Sequence, residues 1–336
     1  MEDTSPLRVV AIGGGNGLSA LLQGLKHFVH QADPGTPSLD ITAIVTVTDD
    51  GGSSGRLRRE FDVLPPGDIR NCMVALSEDS ALLSRLFQYR FSTGRGLKGH
   101  SFGNLFLMAL TQIMGDFPEA VRVSAEVLKI AGHIYPSTNT NVALEAVLED
   151  GTHVVGETRI SRSRKRIKRV QLIPRKARPL AATLAAIENA DVITLGPGSL
   201  FTSVVPNLLV EGVSAAIQRS QASRAYFVNL MSQPGETTGL LASDHVRALH
   251  QHAGRKFLDY AVVNIRPITL AVKKRYAREE AQPVENDVDT ILKMGVKVLA
   301  GSLAQRGEKV RHEPLTAAAV VLRLAQEARR RKSGQP

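Results

Sequence analysis

The chain has 336 residues, 42 Lys and Arg against 32 Asp and Glu, a formal charge of +10 and 43% hydrophobic residues. This balance excludes a disordered chain, and no apolar run approaches the ~18–20 residues of a bilayer span. A single cysteine, Cys72, excludes an internal disulfide and any multi-cysteine metal centre. The N-terminal residues lack the basic and apolar regions of a signal peptide, so the cytoplasm is the expected compartment.

Residues 7–12, "LRVVAI", predict a short buried strand. "GGGNGLSALLQGLKHF" then turns directly into a helix whose Leu18, Leu21, Leu22 and Leu25 fall on one face. A turn-rich loop over 30–40 leads to a second apolar strand over 41–47. Strand, glycine turn, helix and strand make the first βαβ unit of a doubly wound sheet. The second strand runs into "TDDGGSSGR", where Asp49 and Asp50 precede Gly and Ser residues that read as a flexible loop.

From residue 58 the pattern is largely helical. It breaks at Pro65-Pro66-Gly67, with Asp68 placed to cap the next helix. Further helices are expected after a polar turn in 98–115 and over 117–132. Residues 141–174 change to short strands around an Asp150-Gly151 turn and read as a β-rich insertion. A helix over 180–190, a strand over 191–195 and a second glycine turn, "GPGSL", follow. Alternation then continues through strands at 225–230, 260–265 and 297–303 to a basic C-terminal helix. Because the alternation resumes after the insertion, the expectation is one α/β domain over 1–336. It has a Rossmann-like, mostly parallel sheet, helices on both faces and a small β-rich insertion.

Two glycine loops carry the chemistry. Gly14, Gly15, Asn16 and Gly17 follow a strand and open a helix, and residues 15–20 fit the G-x-G-x-x-A dinucleotide fingerprint. Backbone without Cβ atoms can approach a phosphate closely, and a helix N-terminus adds ~0.3–1 kcal/mol of attraction for an anion. Gly196, Gly198 and Ser199 repeat this logic, with the hydroxyls of Thr202 and Ser203 behind them. Loops of this kind in one open sheet flank a single crevice beyond the strand ends. A nicotinamide enzyme would place an acid ~20 residues after the glycines. Asp49 lies 32 positions beyond Gly17, and no Tyr-x-x-x-Lys pair accompanies it. Asp49 and Asp50 equally suit Mg²⁺ beside a phosphate, or a turn cap and a solvated charge. Walker, G-x-S-x-G and H-E-x-x-H patterns are missing. The basic runs at 162–169 and 328–332 read as a solvated arm and a frayed helix end. Neither has interleaved aromatics, so nucleic acid is not the expected partner.

The segments "VVAIGGGNGLSALLQGLK", "TDDGGSSGRLR", "PPGDIRNCMVAL", "GHSFGNLFL", "YPSTNTNVAL", "GPGSLFTSVVPNLLV" and "NLMSQPGETTG" occur in this order. Together they resemble the YvcK family, the bacterial gluconeogenesis-factor group related to CofD, the 2-phospho-L-lactate transferase. The resemblance implies a Rossmann-like fold in a cytoplasmic homodimer that binds a UDP-sugar such as UDP-N-acetylglucosamine. It also implies a regulatory role supporting cell-wall synthesis, cell shape and growth on gluconeogenic carbon, with cell-wall regulatory proteins as partners. The CofD side of the kinship implies an alternative, a Mg²⁺-dependent transfer from a nucleotide diphosphate-type donor with Asp49 and Asp50 on the metal. Carried over by motif, the ligand residues are Gly14, Gly15, Asn16, Gly17, Asp49, Asp50, Asn104, Gly196, Gly198, Ser199, Asn229 and Tyr276. Asn16 and Phe201 depart from the Thr and Tyr commoner in the family, and Ser232 from its Thr. Tyr276 stands at an aromatic position suited to stacking on a base or touching a sugar.

Overall fold

A computed structural model of the chain describes residues 5–29, 38–78, 81–305, 307 and 309–333. Most of the turn-rich stretch expected over 30–40 lies outside them. Among the described residues there are ten strands: β1 (Leu7–Gly13), β2 (Leu39–Val45), β3 (His133–Pro136), β4 (Ala143–Leu148), β5 (His153–Val155), β6 (Ile167–Ile173), β7 (Val192–Leu195), β8 (Ser223–Phe227), β9 (Tyr260–Asn264) and β10 (Lys297–Gly301). Seven form one sheet in the order β10-β9-β8-β7-β1-β2-β3, every pair parallel. Strands β4, β5 and β6 form a separate antiparallel sheet, the expected β-rich insertion. The strand order reverses between β1 and β7, and ligands of doubly wound sheets bind at such a point.

The local reasons are ordinary. β1 and β2 are buried almost throughout, as strands covered on both faces must be. The helix Gly15–Lys26 buries Leu18, Leu21, Leu22 and Leu25 and packs on the helices Gly67–Leu76 and Pro314–Lys332. Gly24 permits that approach, since a Cβ there would lie 2.0 Å from the Pro314 carbonyl oxygen. One hydrophobic cluster runs from β1 through the insertion's Leu144, Val170 and Leu172.

Three local expectations change. The "GGSSGR" stretch is not a loop: the helix Gly52–Phe61 begins at Gly52 and buries Ser53, Ser54 and Gly55. Gly55 lets it close on the turn before it, since a Cβ there would sit 1.8 Å from the Asp50 carbonyl oxygen. Asp68 is not the cap of its helix, because Pro66 holds that position and the Asp68 carboxylate instead takes the Gly15 N–H. Strand β3 went unanticipated: four residues before a polar stretch carry too little alternation to read, and pairing with β2 makes them a strand.

Charge is distributed unevenly. Residues 158–187 hold ten Lys and Arg and no acid, leaving 32 basic and 32 acidic residues in the remainder. All ten cations are exposed, and only Arg164 with Glu280 and Lys165 with Asp150 form ion pairs among the described residues. The C-terminal run behaves otherwise. Arg329 and Lys332 bond the buried Asp191 at 2.5 and 3.1 Å, and Arg331 donates to Ser223 Oγ. The end of the Pro314–Lys332 helix therefore locks the starts of β7 and β8 rather than fraying. Among the described residues no single helix is long and apolar enough to cross a membrane.

Burial alone would raise the Asp191 carboxyl, but bonds from Arg329, the Arg8 N–H and Lys332 hold it below its ordinary value. A depressed carboxyl stabilises the fold above its unfolded pKa, and that contribution is lost as pH falls through the folded value. Asp191→Ala removes the buried carboxylate that Arg329, Lys332 and the Arg8 N–H share and is expected to cost about 3 kcal/mol at pH 7. In urea titrations the difference from the parent should shrink below about pH 4; a gap that stays constant down to pH 3 would contradict this account.

Candidate functional site

β1 and β7 are neighbours in register, Ile12 beside Leu195, so the glycine turns that follow them emerge side by side. Gly17 faces the second turn so closely that a Cβ would lie 2.5 Å from the Pro197 carbonyl oxygen. Gly14 is equally confined, with the Thr46 methyl 2.6 Å and an Asp68 oxygen 2.7 Å from its would-be Cβ. Asn207, fully buried, pins the two turns by donating to Gly13 O at 3.3 Å and Ser203 O at 2.8 Å. Two helical N-termini therefore open onto one point.

A cleft of about 500 Å³ lies there. Gly14, Gly15, Asn16, Gly17, Gly198, Ser199, Asn229 and Tyr276 line it, so eight of the twelve expected ligand residues meet in one place. Gly196 stands behind the wall, donating to Ile12 O at 2.8 Å with φ +73°. Asn104 is buried behind the Gly52–Phe61 helix, donating to Ser54 Oγ at 3.4 Å. The Tyr276 hydroxyl accepts from the Val310 N–H at 2.9 Å, which tethers the helix Leu270–Ala277 to the segment after β10. That segment brings Arg311 and His312 into the lining, and the loop after β8 brings Gln233 and Glu236.

Asp49 and Asp50 are outside the lining. Asp49 accepts from the Gly51 N–H at 2.9 Å, and Asp50 from the Thr158 N–H at 2.8 Å. Asp50 thereby caps the insertion's short helix Glu157–Arg162, and its second oxygen lies 2.3 Å from a would-be Cβ on Gly156. Both aspartates are half-buried, and one oxygen of each is taken by a backbone N–H. No group of three or more His, Cys, Asp or Glu among the described residues is arranged to hold a metal ion.

The carboxylates that matter sit beneath the glycine turns. Asp68 takes the Gly15 N–H, and Glu236 takes the Phe201 and Thr202 N–H groups at 2.7 and 3.2 Å. Asp68 thus answers the first helical N-terminus, and Glu236, itself part of the cleft lining, answers the second. Burial, with Asp49 nearby, pushes Asp68 up to about 7. Burial pushes Glu236 to about 7 against its own hydrogen bonds. Glu157 rises to about 8 through burial and the fields of Asp49, Asp68, Asp50 and Glu236. Neither Asp68 nor Glu236 carries a local signature, since their roles arise from segments far apart in the chain.

The fold is that of a Rossmann-like α/β protein with a cleft between two glycine-opened helices at the switch point of the sheet. The family model for 2-phospho-L-lactate transferase CofD matches residues 9–304, and the chain belongs to that family. It is 49% identical over 292 residues to the gluconeogenesis factor of Halalkalibacterium halodurans, covering 87% of this chain and 88% of that protein. It is 44% identical over 321 residues to the gluconeogenesis factor of Bacillus subtilis, covering 95% and 98%. The crystal structure of protein BH3568 from Bacillus halodurans superposes with a TM-score of 0.90 at 46% identity, over 95% of this chain and all of that one.

Acids raised above their unfolded values bind protons in the fold that the unfolded chain has released, so their contribution falls as pH rises from about 4 to about 8. His245, His250 and His312, lowered to about 4 by burial, act in the opposite sense below pH 6.5. The difference between variant and parent is therefore the measure. Glu236→Gln keeps an acceptor for the two N–H groups and removes the buried charge. Its melting temperature should match the parent near pH 5 and exceed it by a few degrees at pH 8. Equal melting temperatures at both pH values would show that Glu236 is not held near neutrality.

Proposed function

We propose that the cleft binds a nucleotide diphosphate-type sugar of the UDP-N-acetylglucosamine class. In this reading the protein acts as a regulator that reports the supply of that compound during growth on gluconeogenic carbon, in support of cell-wall synthesis and cell shape. The observation that carries the proposal is the meeting of both glycine turns, Arg311 and Tyr276 around one cleft of about 500 Å³. Helical N-termini, the Ser199 hydroxyl and the Arg311 guanidinium suit a diphosphate, while Tyr276 offers a flat apolar surface for a ring. The volume falls within the ~300–1,000 Å³ of small-molecule sites. The relatives' name, gluconeogenesis factor, supports the physiological half of the reading.

A transferase with Mg²⁺ on Asp49 and Asp50 has less support, because one oxygen of each is already taken by a backbone N–H and the pair stands outside the cleft lining.

Calorimetric titration with UDP-N-acetylglucosamine should give saturable binding, and millimolar ligand should raise the melting temperature. Arg311→Ala should weaken binding about tenfold or more, the worth of one charge-assisted contact, and leave the ligand-free melting temperature within about two degrees. A folded parent protein that shows neither heat nor stabilisation at millimolar ligand would sink the proposal.

A further inference from the structure

A chain of hydrogen bonds runs from the core to the cleft. His245, fully buried on the helix Ala242–His252, has Nδ1 3.0 Å from the hydroxyl of Tyr226, itself fully buried on β8. That hydroxyl lies 3.5 Å from Asn229 Oδ1. Asn229 Nδ2 is 3.0 Å from Gln233 Oε1, and Gln233 Nε2 is 2.7 Å from Ser199 Oγ. The Gln233 backbone is held by its N–H on Thr237 Oγ1 at 2.9 Å. Asn229, Gln233 and Ser199 all line the cleft.

The chain can be polarised in either of two directions, and one atom selects between them. His245 Nε2 is buried without a partner among the described residues. Buried orphan N–H groups are rarer than buried under-satisfied acceptors, so Nε2 carries the lone pair and Nδ1 the proton. Burial lowers the imidazole to about 4, which keeps it neutral. Nδ1–H then donates to Tyr226 Oη, whose proton goes to Asn229 Oδ1. Asn229 Nδ2 donates to Gln233 Oε1, and Gln233 Nε2 donates to Ser199 Oγ. The reverse order would end with an orphaned N–H on His245.

We propose that this relay turns the Ser199 hydroxyl proton toward the cleft, so that the ligand group beside it presents an acceptor oxygen, as an ionised phosphate does. Ser199 Oγ is already accepting from Gln233, so its own proton is left for the ligand. Tyr226 and His245 touch no ligand and are positioning residues. The ligand half of the inference rests on the nucleotide-sugar reading above; the direction of the relay does not.

Two measurements separate them. Long-range ¹H–¹⁵N spectra of histidine-labelled, ligand-free protein should show His245 as the neutral Nδ1–H tautomer from pH 5 to 8. An Nε2–H tautomer overturns the relay whether or not any ligand binds. Titration with UDP-N-acetylglucosamine should then show about tenfold weaker binding for Ser199→Ala and a loss of several-fold for Tyr226→Phe. The double variant should be no weaker than Ser199→Ala alone, because both changes remove the same donor. Gln233→Glu turns the neighbour of Ser199 into an anion that claims its proton, and should weaken binding at least thirtyfold. Additive losses in the double variant, or full affinity in Gln233→Glu, overturn the assignment of Ser199. A correct tautomer with no binding by the parent protein would sink the nucleotide-sugar reading and with it the ligand half, leaving the relay standing.

Discussion

The structure turns on the contact between two backbone turns. β1 and β7 are adjacent, parallel and in register, so whatever follows each strand must share the same space. Only glycine fits the facing surfaces. A side chain on Gly17 would enter the Pro197 carbonyl, and one on Gly14 would meet Thr46 and Asp68. From this contact follow the convergence of two helical N-termini, the pinning role of Asn207 and the position of the cleft. Two helical N-termini meeting in one region draw negative charge toward it, independent of the chain's net charge.

Such crowding needs compensation when no ligand is present, and the protein supplies it internally. Asp68 stands behind the first turn and Glu236 at the cleft edge of the second, each in reach of backbone N–H groups. Burying several carboxylates together is costly, and it shows in Asp68, Glu236 and Glu157 all being raised toward neutrality. Fold and site thus share one electrostatic arrangement: the anions that settle the turns also bias the cleft against a second negative charge unless its own donors answer it. Arg311 and a polarised Ser199 are placed to do so.

The insertion is part of this arrangement. Its short helix begins on Asp50, carries Glu157 toward the carboxylates and places Ser161 on the cleft wall. Gly235, at φ +72°, lets the loop bearing Gln233 and Glu236 close on the Ser161 and Ser163 carbonyls, 2.6 and 2.0 Å from a would-be Cβ. The basic stretch at 158–187 holds the whole formal excess of charge, yet it faces solvent, so the cleft does not account for it. The exposed Arg164–Glu280 pair adds little, as surface pairs do.

Much of this was legible from residues alone. Runs such as "LRVVAI" followed by a glycine turn and a leucine-faced helix specify local structure through period and backbone freedom, which need no distant partner. The parallel sheet, the inserted hairpin and both glycine turns follow from such patterns. The pair Asp49 and Asp50 shows where they stop: adjacency in sequence says that two carboxylates share a turn, not which donors they meet. Which oxygen meets which donor depends on Thr158 and Gly156, more than a hundred residues on. Asp68, Gln233, Glu236 and Arg311 were unreadable for the same reason. Their neighbours are brought by strand order and loop closure, and the direction of a hydrogen-bond chain is decided by one buried nitrogen on a helix that never reaches the site. Sequence determined the elements and the two turns; tertiary structure alone decided which polar groups face the cleft, because that requires burial and long-range contact.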